Sequence, residues 1–134
     1  MTPSAGIDRA MVKPGHTGLR RVAMATRYSW KGFRAAWEHE SAFRQECIIG
    51  LLMLPFAFII GKSMLQVVVL ISVLGIVLVT ELLNSAVEAV VDRVGTEHHD
   101  LAGRAKDMGS AAVFVSLALV VTVWTLMALK NFFL

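Results

Sequence analysis

The chain has 134 residues, 56% of them hydrophobic and 17% charged, with a formal net charge of +3. That apolar share exceeds the roughly 45–50% of ordinary soluble domains, which argues against a conventional soluble enzyme, and the length suits one domain. A single cysteine, Cys47, leaves no disulfide framework and reads as an inert small apolar residue.

Residues 1–18 mix Pro, Gly, Ser and charges without periodicity and read as a disordered leader. No apolar core accompanies the eight basic residues before position 47, so a cleavable signal peptide is not expected. From Leu19 to His39 only Gly32 interrupts. Val22, Tyr28, Trp30, Phe33 and Trp37 supply apolar bulk, while Arg20, Arg27, Lys31, Arg34 and Glu38 fall largely elsewhere on the wheel. This predicts an amphipathic helix lying in a membrane interface.

Three charge-free runs follow, of 15 residues between Glu46 and Lys62, 18 between Lys62 and Glu81, and 22 between Asp107 and Lys130. About 20 apolar residues cross a bilayer as a helix. The predicted spans are therefore about 42–61, 64–91 and 108–133, the first two reaching full length only by taking in ionisable residues. The first holds Pro55, tolerated where neighbours satisfy the freed carbonyl. The turn after it reads Gly61-Lys62-Ser63, but the Gly that a phosphate-binding loop needs six positions before its Lys is Phe56, so no such loop is expected. Residues 92–107 read as a polar connection stopped by Gly95 and Gly103. The fold class is thus all-α and membrane-embedded, with one domain over 19–134.

Eleven of the 13 Lys and Arg residues precede the first span or lie between spans two and three, leaving Lys62 and Lys130 for the other side. Basic residues stay cytoplasmic. The N-terminus is expected inside and the C-terminus outside.

The densest chemistry lies on residues 80–93, TELLNSAVEAVVDR. Glu81, Asn84, Glu88 and Asp92 are spaced three, four and four apart, which puts all four on one helical stripe. Like charges stacked this way repel, and ionising Glu81 beside hydrocarbon costs about 2.5 kcal/mol or more. Such a stripe calls for a divalent metal, a proton-transfer role or another chain. Oxygen-only donors favour a hard ion such as Mg²⁺. Glu40 and Glu46 flank the first span at the same depth and could add a ligand.

GRAKDMGSAA, residues 103–112, places Lys106 and Asp107 before small residues that allow close approach of a helix or ligand. Lys106 can act as a point charge on phosphate. With Arg21, Arg27 and Arg34, one membrane face gathers metal-binding oxygens and phosphate-binding cations, a combination suited to phosphoryl transfer. His98 and His99 suit a nucleotide edge better than a zinc site, since adjacent histidines chelate poorly and no cysteine supports them.

YSWKGFRAAW (28–37), SAFRQE (41–46), ELLNSAVEAVVDR (81–93) and GRAKDMGSAA (103–112), in register over about 110 residues, closely resemble the small integral-membrane diacylglycerol kinases of bacteria. The resemblance implies a homotrimer in the inner membrane that transfers the ATP γ-phosphate to diacylglycerol with Mg²⁺, and no nucleic-acid partner. It makes Glu81 the general base and gives metal to Glu40 and Glu88. It places Asn84, Asp92, Lys106 and Asp107 along the nucleotide and catalytic site, Arg21, Tyr28, Glu97, His98 and His99 near ATP, and Ser29, Trp30, Arg34, Trp37, Glu46 and Ser110 at the lipid, with Arg21 and Glu81 shared. Two departures stand out. Glu38 precedes the metal glutamate where the family has a neutral residue, and His98 replaces an aromatic one.

A base beside hydrocarbon suits a buried lipid hydroxyl. Ala86, Ala89, Gly109 and Ala112 offer small faces for trimer packing. Rival readings are the same fold acting on undecaprenol, a proton-coupled transporter using Glu81 and Glu88, and a non-catalytic assembly subunit.

Overall fold

The computed structural model describes residues 18–95 and 99–134, and residues 1–17 of the predicted leader and the positions Thr96, Glu97 and His98 lie outside that range. Four helices make up the described residues: α1 (Leu19–His39), α2 (Ser41–Ile60), α3 (Met64–Val94) and α4 (Asp100–Phe132). α2, α3 and α4 are each long and apolar enough to cross a membrane. The described residues divide into two compact units, one up to Arg34 and one from Ala35 onward.

In the first unit α1 carries its cations and aromatics in the open, with Trp30 71% and Tyr28 59% exposed. Its polar and apolar residues segregate around the helix, as an interfacial element requires. The second unit holds the end of α1 and the three long helices. α1 breaks at Glu40, whose backbone is extended (φ −108°, ψ 110°). Arg44 reaches back over the break. Its Nη1 donates to the carbonyl of Trp37 at 2.8 Å and to that of Glu38 at 3.4 Å, satisfying acceptors that a helix end leaves open.

α3 is the central helix, packed chiefly against α4 and less extensively against α2. Its buried stripe runs Val67, Leu70, Val73, Val77, the three-to-four spacing of one helical face. Val120 and Trp124 of α4 and Ala57 of α2 close the core over it. The pairs Gln66 with Asn131, Leu70 with Trp124, Asn84 with Gly109 and Asp92 with Lys106 show α3 and α4 antiparallel, one number rising as the other falls. In lipid such helices are joined by close packing and hydrogen bonds rather than by exclusion of water. Trp124 supplies one such bond, its Nε1 donating to the Leu70 carbonyl at 3.2 Å. Ser72 and Thr80 satisfy their hydroxyls on their own helix, donating to the carbonyls of Val68 and Ile76.

The α2–α3 turn requires glycine. A Cβ on Gly61 would lie 2.7 Å from Val67 Cγ2 and 2.9 Å from the Ala57 carbonyl oxygen. The Gly61-Lys62-Ser63 segment is a structural turn: Ser63 caps α3, and the Lys62 amide donates to Gln66 Oε1 at 2.8 Å. Asn131, near the end of α4, donates from Nδ2 to the Ile60 carbonyl and to Gln66 Oε1, both at 2.8 Å. Lys62 Nζ lies 4.7 Å from the centre of the Phe132 ring. This end of the bundle is thereby clasped shut.

One expectation fails at the opposite end. Gly103 does not stop a helix: α4 already starts at Asp100, eight residues before the expected third span at Met108. The His99 side chain caps it, Nδ1 accepting from the Leu101 amide at 3.2 Å, and the Gly103 amide donates to the His99 carbonyl at 3.0 Å. A glycine inside a helix costs about 1 kcal/mol relative to alanine. The cap, together with Asp100 in the first turn, outweighs it. α3 also runs on to Val94, so the polar connection shrinks to a few residues.

Candidate active site

The buried stripe of α3 changes chemistry without changing face. Glu81 lies four residues beyond Val77, continues the same line and is only 5% exposed. It stands 17 residues after Met64, about 26 Å along the helix. That places it near the far boundary of a hydrocarbon core about 30 Å thick. Asn84 and Glu88 follow on the stripe, both half-buried. Asn84 Nδ2 donates to Glu88 Oε1 at 3.0 Å, which holds the two side chains as a unit.

Glu46 of α2 faces the same region. The charge of Glu81 acts on Glu46, and the charges of Glu88 and Glu40 act on Glu81, so the four glutamates share one electrostatic field. Two oxygens here, Glu46 Oε2 and Asn84 Oδ1, are buried without a hydrogen-bond partner. Buried acceptors of this kind are costly unless a donor or cation meets them. Glu40 is half-buried at the α1–α2 break, where its side chain makes no capping bond.

One helical turn beyond Glu88, Asp92 pairs with Lys106 of α4, Oδ1 to Nζ 2.6 Å. The early start of α4 makes this pair: Lys106 projects from a helix, and the charge of Glu88 reaches it as well. Asp107 and Ser110 are exposed on the same helix. Gly109 lies directly against Asn84, so that a Cβ there would overlap Asn84 Oδ1. The small residue at 109 thus serves a contact within the chain, while Ala86, Ala89 and Ala112 are exposed.

The donor chemistry suits a hard cation. Among the described residues no three His, Cys, Asp or Glu side chains form a cage that could hold an ion. Mg²⁺ needs none, since it takes one or two carboxylates and completes its shell with phosphate oxygens and water. Glu40 and Glu88 offer two such carboxylates.

Arg21, Tyr28, Ser29, Trp30 and Arg34 are exposed on the first unit. Trp37 is exposed near the end of α1, and its carbonyl, rather than its ring, is engaged, by Arg44. His99 is committed through Nδ1 to capping α4. Glu97 and His98 lie outside the described residues. Arg44 counts in the sequence only among the basic residues before the first span, and no spacing within one helix signals its reach back to the Trp37 and Glu38 carbonyls.

A bundle of three membrane-length helices, with acids, an amide and a lysine gathered at one end, defines a small membrane protein. Residues 27–128 match the family model described as prokaryotic diacylglycerol kinase. The diacylglycerol kinase of Escherichia coli (strain K12) is 48% identical over 116 residues, 87% of this chain and 95% of that protein. The diacylglycerol kinases of Haemophilus influenzae (47% over 108 residues, 81% of this chain and 92% of that protein) and Helicobacter pylori strain 26695 (41% over 113 residues, 84% and 88%) are also similar. The chain is an enzyme that belongs to the prokaryotic diacylglycerol kinase family.

Proposed function

We propose that this enzyme phosphorylates diacylglycerol to phosphatidic acid, using ATP and Mg²⁺, at the cytoplasmic face of a bacterial inner membrane. The observation that carries the reading is the position of Glu81: an acid on the buried packing stripe of α3, near the membrane boundary, followed at once by Asn84 and Glu88. A lipid hydroxyl arrives at that depth from the bilayer, and a nucleotide arrives from the water beyond it.

In this reading Glu81 takes the proton of the lipid hydroxyl as its oxygen attacks the γ-phosphorus. The bond between that phosphorus and the bridging oxygen breaks, and ADP leaves. Glu40 and Glu88 would hold Mg²⁺, which when bound supplies charge neutralisation on the phosphate oxygens. Asn84 fixes one oxygen of Glu88. Lys106, oriented by Asp92, offsets charge on the transferring group. Arg21, Tyr28, Glu97, His98, His99 and Asp107 are assigned to the nucleotide, and Ser29, Trp30, Arg34, Trp37, Glu46 and Ser110 to the lipid.

The proposed assembly is a homotrimer, with the N-terminus cytoplasmic and the C-terminus periplasmic. The apolar outer faces of α2 and α4, such as Leu51 at 69% and Phe114 at 73% exposure, need lipid or neighbouring subunits to cover them. The distribution of basic residues supports the orientation.

Transfer of γ-³²P from ATP with Mg²⁺ to diacylglycerol and, separately, to undecaprenol in mixed micelles tests the reading. Labelled phosphatidic acid as the main product is expected. Preferential undecaprenyl phosphate would change the substrate, and labelling of neither lipid by the folded protein would overturn the kinase reading. A transporter is disfavoured because its acids should sit near the midplane, whereas Glu81 is about 26 Å along a helix that spans roughly 30 Å of hydrocarbon.

A further inference from the structure

We propose that Gly109 is a positioning residue for the metal-binding carboxylate: its lack of a side chain lets Asn84 stand where its amide can hold Glu88. The inference rests on the reading of Glu88 as a metal ligand. Three observations meet at this point of the α3–α4 contact. A Cβ on Gly109 would overlap Asn84 Oδ1 and come within 3.2 Å of Asn84 Cγ and 3.7 Å of its Cα. Asn84 Oδ1 is buried without a hydrogen-bond partner. The other end of the same amide, Nδ2, donates to Glu88 Oε1 at 3.0 Å.

The amide has little freedom. Rotated by half a turn, it would aim its oxygen at the Glu88 carboxylate, two acceptors facing each other. Moved sideways to admit a methyl group, it would leave Glu88. Because Asn84 Cα also lies close to the missing Cβ, the backbones of α3 and α4 themselves approach closely here, as small residues permit. With Nδ2 on Oε1, one carboxylate oxygen of Glu88 is fixed and the other is left for a cation. Outer partners of this kind, which orient a ligand without touching the metal, typically change metal affinity 10- to 100-fold when removed. Gly109 acts one step further out, through Asn84.

The test is a double-mutant cycle on the full-length protein in detergent, read by electron paramagnetic resonance of bound Mn²⁺ in the presence of a non-hydrolysable ATP analogue, with thermal unfolding alongside. Gly109→Ala is expected to weaken Mn²⁺ about 10-fold or more, and Asn84→Ala by a similar factor. The double variant is expected to match Asn84→Ala alone, since no amide remains to be displaced. Additive losses, or unchanged affinity in Gly109→Ala, would overturn the proposal. If Gly109→Ala does not fold, recovery of folding in the double variant supports the clash with the amide, and failure of both overturns it. Glu88→Ala separates the two readings. Unchanged Mn²⁺ affinity in that variant defeats the metal assignment itself, whereas a loss there without a loss in Gly109→Ala defeats only the role of Gly109.

Discussion

Lys106 Nζ lies 2.6 Å from Asp92 Oδ1, a pair that ties the second turn of α4 to the last turn of α3. Both side chains are substantially open to water, so the pair contributes little to stability. On the proposed reading its value lies in aiming a cation. Lys106→Met should therefore lower kcat/KM by about 10²- to 10³-fold, the range typical of one lost electrostatic contact to developing charge. Steady-state kinetics beside an unchanged unfolding midpoint would bear this out, whereas near-normal turnover would remove Lys106 from the reaction.

Glu81→Gln keeps shape and burial but removes the proposed proton acceptor. Its kcat should fall by about 10²- to 10⁴-fold. Equilibrium binding of a fluorescent ATP analogue should change little, because Glu81 is assigned to the lipid hydroxyl. A variant that retains turnover would refute the base assignment.

Removing divalent cations with EDTA should abolish phosphoryl transfer and leave helicity by circular dichroism intact, since the described residues form no metal cage that the fold depends on. Restoring Mg²⁺ should restore activity. Loss of helicity on chelation would contradict the arrangement.

Trp124→Phe removes the indole donor to the Leu70 carbonyl from the centre of the bundle. The expected cost is about 1–2 kcal/mol, the upper part of the range for one bond between membrane helices. Reversible unfolding in mixed micelles with increasing sodium dodecyl sulfate would measure it, with kcat close to that of the parent enzyme.

Asn131→Ala opens the far end of the bundle by removing both bonds from Nδ2, to Ile60 and Gln66. A loss of about 1 kcal/mol is expected in the same assay, again with little effect on turnover. Loss of activity without loss of stability would show that this end communicates with the acids.

The three spans and the acidic stripe were legible in the sequence because both depend on spacing within one helix. Charge-free runs report length, and positions 81, 84, 88 and 92 report a face. What escaped depends on contacts between helices or on local competition. Gly103 looked like a stop signal, yet a histidine cap at position 99 and an acid in the first turn carried the helix through it. Nothing in the string of residues tells that Asn131 meets Ile60 and Gln66, about 70 positions away in sequence, or that Gly109 meets Asn84. Small residues at 86, 89, 109 and 112 looked equivalent. The antiparallel register of α3 and α4 singles out one of them.

Because α3 carries both core and acids on one line, its residue count sets an angular phase between them. Each residue turns the helix by about 100°. One extra residue after Val77 would bring Thr80, Leu83 and Val87 into the slots now held by Glu81, Asn84 and Glu88, and would turn the carboxylates away from their partners. The outer face of α3, where Val79 and Leu83 are 58% and 62% exposed, can exchange one apolar side chain for another without disturbing that phase. An insertion or deletion anywhere within α3 breaks that phase, so the helix behaves as a ruler whose length cannot change.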